Sequence, residues 1–285
     1  MGESLIKPLQ HGAALKREII SANTGADDDS IDIWWLGQSG FLVRWKSMNI
    51  LLDPYLSDAL TKKYAGTAKP HVRMSEMVIH PEMLDTIDIV TSSHNHTDHL
   101  DAETLVPLLN LNKGISFVIP EANREFVAAR VGCDPGFPIG LNDGETIELK
   151  GVMVHGVPAA HNDIERDNHG HCRFLGYVLN LGKYTIYHSG DTLWYDGIVA
   201  CLRSFKIDVA MLPINGNDPS RGVAGNLNAF EAAKLGKEIG AKLVVPHHYD
   251  MFRFNTADPQ DFVHEASALL QPYRILQLGE RLHYP

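Results

Sequence analysis

Cysteine is scarce: Cys133, Cys172 and Cys201 are the only three in 285 residues. Thiols so few and so irregularly spaced exclude a disulfide framework, and no charged-then-apolar leader precedes Ile6, so a reducing cytoplasm is the expected setting. Long apolar runs are missing too; none approaches the roughly 20 residues that a membrane-spanning helix needs. The opening MGESLI lacks the Ser or Thr of a myristoylation signal, so no anchor is indicated. Positive charge is in deficit, with 25 Lys and Arg against 35 Asp and Glu and a formal net charge of -10. A nucleic-acid backbone or an anionic bilayer requires a basic face, so neither is an expected partner, whereas a small molecule is. There is no G-x-S-x-G elbow and no glycine loop built to cradle phosphates, which leaves acyl-enzyme and nucleotide-kinase chemistry without support. No linker rich in Pro, Gly or Ser divides the chain. Residues 1–285 therefore read as one domain, with 1–30 an N-terminal extension carrying a short helix.

Histidine, by contrast, is abundant, with 15 residues, several of them clustered, and the 44% of apolar residues suffices for a sizeable core. Strands alternate with helices along the chain. Ile31 to Pro54 reads as successive strands that turn at Gly37, Gly40 and KSMN. DAETLVPLLNL has helical spacing with Asp101 as its N-cap, EANREFVAARVG is a helix stopped by Gly132, and GISFVIP between them is a short buried strand. TIELKG and VMVHGVPAAH follow as strands, then a polar loop, NDIERDNHGHCR. FLGYVLNLGKYTIYHSGDT is a hairpin turning near Gly182 and Lys183, IDVAMLPI a strand, NAFEAAKLGKEIG a helix and AKLVVPHH a last strand. GFLVRWKSMNILLDP and GYVLNLGKYTIYHSGDT are both hairpins that begin with Gly and end in Asp. IDIVTSSHNHTDH likewise has a counterpart in IDVAMLPINGNDP, where Ile214, Asn215 and Gly216 replace the histidines. A duplicated half with one metal-bearing copy fits this pattern, and chance similarity between apolar strands is the other explanation.

Chemistry concentrates in residues 92–101, SSHNHTDHLD, directly after the strand-like IDIV. Side chains alternate along extended backbone, so His94 and His96 can point the same way and share one cation. Asp98 and His99 follow where the chain turns towards the helix at Asp101, and they can hold a second ion beside the first. Imidazole and carboxylate are ligands for zinc, manganese or iron, and the absence of cysteine from the cluster disfavours a closed structural zinc site.

This HxHxDH motif, together with WWLGQSGFLV, LLDPYLSD, YHSGDT, NDPSRG and VVPHHYDMF, resembles the metallo-β-lactamase fold superfamily over nearly the whole chain. It is most similar to the branch containing L-ascorbate-6-phosphate lactonase and related metal-dependent hydrolases. The resemblance implies an α/β fold, a four-layer αββα sandwich of two mixed β-sheets flanked by helices, with the metal site at the sheet ends. It further implies a first metal ion on His94, His96 and His161, a second on Asp98, His99 and His248, and Asp191 bridging them. His161 stands at a strand end, whereas His155 lies inside the strand and is the alternative. At PHHYD the pattern selects His248, before Tyr249, over His247. His247 would then face substrate, alongside Arg221 and Asn215. Asp53 and His188 would support the ligands from behind. The loop His169 to Cys172 is either a third metal site or part of the pocket wall.

Two divalent ions, zinc or manganese with iron as an option, would sit roughly 3.5–4 Å apart and acidify a bridging water to the hydroxide nucleophile. Asp98 and His248 are the candidate catalytic residues, Asp98 orienting that water or shuttling its proton. The expected function is hydrolysis of a small anionic lactone of the sugar-phosphate type. A phosphodiesterase, on a small phosphodiester or of the phospholipase-D type, is the alternative enzyme. A catalytically silent metal- or ligand-binding protein is the alternative of another class. Because relatives of this branch often assemble, a homo-oligomer is a further expectation.

Overall fold

The segment IDIWWLG forms β1 (Ile31–Gly37), buried along its whole length. β2 (Gly40–Trp45) and β3 (Met48–Leu52) extend it as an antiparallel meander, because apolar runs are separated here by two tight turns. The computed structural model describes residues 4–22, 30–223 and 225–285. From β3 the sheet continues in parallel through β4 (Ile89–Thr91), β5 (Ser116–Pro120) and the short β6 (Ile139–Leu141). The crossovers are the expected helices, α3 (Ala102–Leu111) and α4 (Arg124–Val131). Asp101 caps α3 by accepting the Glu103 N–H, and α4 ends on Gly132 at φ 70, a conformation that costs glycine little.

A second sheet is built from β7 (Thr146–Leu149), β8 (Val152–Pro158), β9 (Leu175–Leu181), β10 (Tyr184–His188), β11 (Val209–Pro213) and β12 (Leu243–His247). Helix α6 (Ala229–Ile239) packs on β11 and β12 and gathers α5 (Ile198–Arg203) and α7 (Pro259–Ala268) around it. The strand orders are β13-β1-β2-β3-β4-β5-β6 and β12-β11-β10-β9-β8-β7, so the fold is two mixed sheets flanked by helices, as expected. The series β1 to β5 and β8 to β12 share one connectivity: two antiparallel pairings followed by two parallel ones. The sequence likeness between the hairpins thus has a topological counterpart.

Strand β13 (Arg281–Tyr284) is not among the elements expected from the sequence, and neither are β6, α2 (Ala59–Tyr64), α5 or α7. What fixes β13 is Asp32, a charged residue in the otherwise apolar β1. The Arg281 guanidinium binds both Asp32 oxygens at 2.8 and 2.7 Å, and His283 Nδ1 lies 2.9 Å from the first of them. A fully buried carboxylate is tolerated only with such partners, and they come from the far end of the chain. The short helix expected in the N-terminal extension is α1 (Gly12–Ser21); residues 1–3 and 23–29 of that extension lie outside the described residues. Among the described residues, no helix is long and apolar enough to cross a membrane.

One core runs between the sheets, with Trp34, Trp35, Phe41, Phe117, Tyr177 and Tyr187 fully buried in it. Each such side chain contributes about 1.5–3 kcal/mol by leaving water. Strands β3, β4, β8, β10 and β12 end on the same side of this core, and every candidate ligand follows one of their carboxyl ends.

Candidate metal centre

The backbone around these strand ends is held in left-handed conformations that non-glycine residues rarely adopt: Gln38 at φ 51, Asp53 at φ 41 and His248 at φ 70. Gly190, at φ 58, meets a second constraint, since a Cβ there would stand 2.6 Å from Ser93 Cβ. Only glycine lets the loop after β10 press against the loop after β4 and deliver Asp191 to the histidines.

All seven candidate ligands converge. Three sets of donor atoms lie within 4.8 Å of one another: His94, His96 and His161; His94, His99 and Asp191; and Asp98, His99 and His248. Among the described residues no other His, Cys, Asp or Glu belongs to such a set. Asp191 is placed between the two outer sets, with Oδ1 3.3 Å from His99 Nε2 and Oδ2 3.4 Å from His248 Nε2 and 3.8 Å from His161 Nε2.

The rings are aimed from behind. His99 Nδ1 donates to Asp53 Oδ2 at 2.7 Å, and His161 Nδ1 donates to the Gly225 carbonyl at 3.0 Å. His94 Nδ1 lies 3.0 Å from Ser93 Oγ, which itself donates to Asp53. With Nδ1 occupied, each ring presents Nε2 to the centre. Asp53 thus stands behind His99, and the Ser93 N–H and Thr91 hydroxyl fill its other oxygen. His188 donates from Nε2 to the Ser39 carbonyl at 2.8 Å and accepts the Gly190 N–H on Nδ1, so both nitrogens are committed to the loops that carry the ligands.

At the centre, His94 Nε2, His99 Nε2 and Asp191 Oδ1 are buried without a hydrogen-bonding partner. Lone pairs packed face to face out of water are costly unless a cation lies among them, so this donor set fits a divalent metal ion. The electrostatics of His94 and His161 agree. Burial, reinforced by His99 and His96, holds His94 well below the ordinary histidine pKa, and burial pushes His161 down to about 4. Both are therefore neutral and ready to coordinate. His99 goes the other way: burial opposes its charge, but the Asp191 and Asp98 carboxylates outweigh burial and raise it well above the usual range. Asp191 is held well below the carboxylate range, since His99 and His248 overcome the burial penalty.

The cluster forms the floor of a cleft of about 530 Å³. Lys63, Lys69 and Arg130 line it, as do Tyr64, Phe126, Phe252 and Phe254, so the walls are cationic and aromatic. His71 also lines it, stacked on Tyr64 at 4.2 Å and edge-on to Phe252 and Phe254. The sequence analysis missed these residues and Gln38: Gln38 and Phe252 stand inside WWLGQSGFLV and VVPHHYDMF but are not metal-ligand types, and for the lysines the positive charge between positions 62 and 73 is the signal that could have marked them.

Three expected substrate residues are placed otherwise. His247 is fully buried, stacked 5.4 Å from His188 and edge-on to Phe41, and does not line the cleft, because strand alternation turns it away from the face that His248 takes. Asn215 is buried as well, and its side-chain amide donates to Asn255 Oδ1 at 2.9 Å. The Arg221 guanidinium points into its own loop, towards the Asn215 carbonyl and Asn255 Oδ1, and not into the cleft. Asn255 lines the cleft, so Asn215 and Arg221 reach it only through this intermediary. His155, the alternative to His161, is satisfied within the sheet by Asn180 at 2.6 Å and Thr146 at 2.7 Å. In the loop from His169 to Cys172, Asp167 accepts the backbone N–H groups of His169 and His171; among the described residues no metal-ligand group forms there.

The chain is 27% identical over 235 residues to a UPF0173 metal-dependent hydrolase of Methanosarcina mazei, a match covering 81% of this chain and 89% of that protein. It is 25% identical to a probable L-ascorbate-6-phosphate lactonase, UlaG, of Escherichia coli, over 80% of this chain and 72% of the lactonase. The metallo-β-lactamase fold protein YhfI of Bacillus subtilis superposes with a TM-score of 0.63 at 17% identity, covering 90% of this chain and all of that one. A family model described as a beta-lactamase superfamily domain matches residues 32–248, from β1 to the last candidate ligand. With its two mixed sheets and its histidine-rich strand ends, the chain belongs to the metallo-β-lactamase fold superfamily.

Proposed function

We propose that this protein is a hydrolase that uses two divalent metal ions to open a small anionic lactone of the sugar-phosphate type. The observation that carries the reading is the convergence of seven imidazole and carboxylate groups, three of them with buried, unpartnered donor atoms, on the floor of a cleft lined by three cationic side chains. His94, His96 and His161 would hold one ion, Asp98, His99 and His248 the other, with Asp191 shared. When bound, the ions supply Lewis acidity and bring the pKa of a water molecule towards neutrality.

The chain's own residues account for the remaining steps. Lys63, Lys69 and Arg130 draw an anion into the cleft, where aromatic walls weaken solvent screening. Asn255 accepts on Oδ1 from Asn215 and Arg221, which leaves its NH2 for a substrate oxygen. Asp98 lines the cleft beside His248 and would take a proton from the attacking water and return it to the leaving oxygen. The lactonase among the relatives supports a lactone as substrate; the cationic walls support the negative charge.

Elemental analysis of the purified protein, paired with rates on phosphorylated lactones, neutral lactones and a generic phosphodiester, tests the reading. About two metal equivalents and lactone turnover abolished by a chelator are expected. Cleavage of the phosphodiester alone would replace the lactonase reading with the phosphodiesterase one. Metal uptake with substrate binding but no turnover on any compound would make this a silent binding protein.

A further inference from the structure

Gln38 occupies the turn between β1 and β2, where its left-handed backbone sends a buried carboxamide into the ligand cluster. Its Nε2 lies 2.8 Å from Asp98 Oδ2, and it sits over the His248 ring, 3.0 Å from Nε2 and 3.4 Å from Nδ1. Asp98 Oδ2 and His248 Nε2 are atoms with which the second set of ligands faces inward: His99 Nε2 is 3.7 Å and His248 Nε2 3.8 Å from the same Asp98 oxygen. Charge fixes which way the amide points, since a carbonyl oxygen there would face a carboxylate, whereas NH2 is attracted to it. One of its hydrogens goes to Asp98.

A cation on Asp98, His99 and His248 would compete with that hydrogen for the charge of the Asp98 carboxylate. Nothing comparable caps the first set. Among the described residues, His94 Nε2 has no hydrogen-bonding partner, and the hydrogen bond of His161 is spent on Nδ1, away from the centre. The Gln38 Oε1 atom is buried without a partner, so the amide is held in place by its NH2 contacts alone.

We propose that Gln38 makes the two metal positions unequal: the His94, His96 and His161 position fills first, and a second ion binds only by displacing the Gln38 amide from Asp98. This rests on the two-ion reading given above. Gln38 is here a positioning residue, acting on the metal through Asp98.

Isothermal titration of metal-free protein with zinc or manganese tests this without any turnover, using the wild type, Gln38→Leu and Gln38→Ala. Leucine keeps the volume, and alanine accepts the same backbone at a cost similar to glutamine. In the wild type, two binding events are expected, the second weaker by about tenfold or more, the scale of one charge-assisted hydrogen bond. In both variants the second dissociation constant should tighten about tenfold while the first stays within about twofold. The unchanged first event, with circular dichroism, shows that a variant is folded. A second affinity that is unchanged or weaker in the variants, or two equal events in the wild type, overturns the proposal and leaves the two-ion reading standing. A wild type that takes up fewer than two ions overturns both.

Discussion

Asp53 and His99 are separated by 46 residues, yet Asp53 Oδ2 accepts from His99 Nδ1 at 2.7 Å, with neither side chain exposed. The carboxylate fixes the tautomer that presents Nε2 to the centre and raises the basicity of the ring, so it controls a ligand that it does not replace.

Asp53→Asn keeps the shape of this support and removes its charge. Metal affinity, read by competition with a chromogenic chelator, should fall about 10- to 100-fold. An affinity equal to that of the wild type would show that His99 needs no anionic partner.

Asp191→Ala and His96→Ala probe the centre itself. Asp191 lies between the two outer sets, near His99 and His248 of one and His161 of the other, and His96 belongs to one. Asp191→Ala should lose hydrolytic activity and weaken both ions, whereas His96→Ala should weaken chiefly the first. Wild-type metal content and turnover in both variants, shown folded by circular dichroism, would mean that the cluster does not work as a metal centre.

The metal-free protein should lose stability as the pH falls below 6.5. His161 stays neutral in the folded chain down to about 4, while in the unfolded chain it protonates near its ordinary value of 6.5. Within that window the unfolded state binds more protons, so acid favours unfolding, by up to about 3 kcal/mol from this group. His94, lowered by burial, adds in the same direction. His99 has the opposite sign: its contribution is complete below 6.5 and is lost only as pH rises through its raised value, so it does not mask the effect. Melting temperatures of chelator-treated protein between pH 6.5 and 4.5 should decline, and His161→Asn should flatten the decline; identical slopes for the two proteins would exclude His161 as a source.

Substrate charge should be read by Lys63 and not by Arg221. Lys63 lines the cleft, whereas the Arg221 guanidinium is bound within its own loop. Lys63→Ala should raise KM for a phosphorylated lactone about tenfold with little change for a neutral one. Arg221→Ala should affect both alike, through Asn255. Selective loss of the phosphorylated substrate in Arg221→Ala would reverse these assignments.

Gly190→Ala tests the close approach of the two ligand loops. Its added methyl would meet Ser93 Cβ at 2.6 Å on a backbone of φ 58. Destabilisation above about 2 kcal/mol is expected, with reduced metal content, because Ser93 and Asp53 must move. A stable variant with full metal content would show that the loops can separate without cost.

Local order made much of this legible in the sequence. The HxHxDH spacing places four donors in six residues where a strand ends, and no long-range information is needed to see that such a group suits a cation. The meander at Ile31 to Leu52, the Asp101 cap and the Gly132 stop were equally readable, since turn and cap preferences are properties of a few adjacent residues. Strands such as β6 and β13 were not, because three or four residues carry too little periodicity, and β13 exists through its pairing with β1 and its charges on Asp32.

The sequence by itself determined which residue types could bind metal and near which strand ends they stand. Only the tertiary structure decided where the outlying side chains point. His247 and His248 are adjacent and chemically identical, yet strand pairing buries the first against His188, and a left-handed backbone turns the second into the centre. Arg221 looked like a substrate cation until the fold gave it the Asn215 carbonyl as a partner. Spacing encodes which atoms are available; direction depends on strand register, backbone conformation and contacts made by residues far away in the chain, which local sequence does not carry.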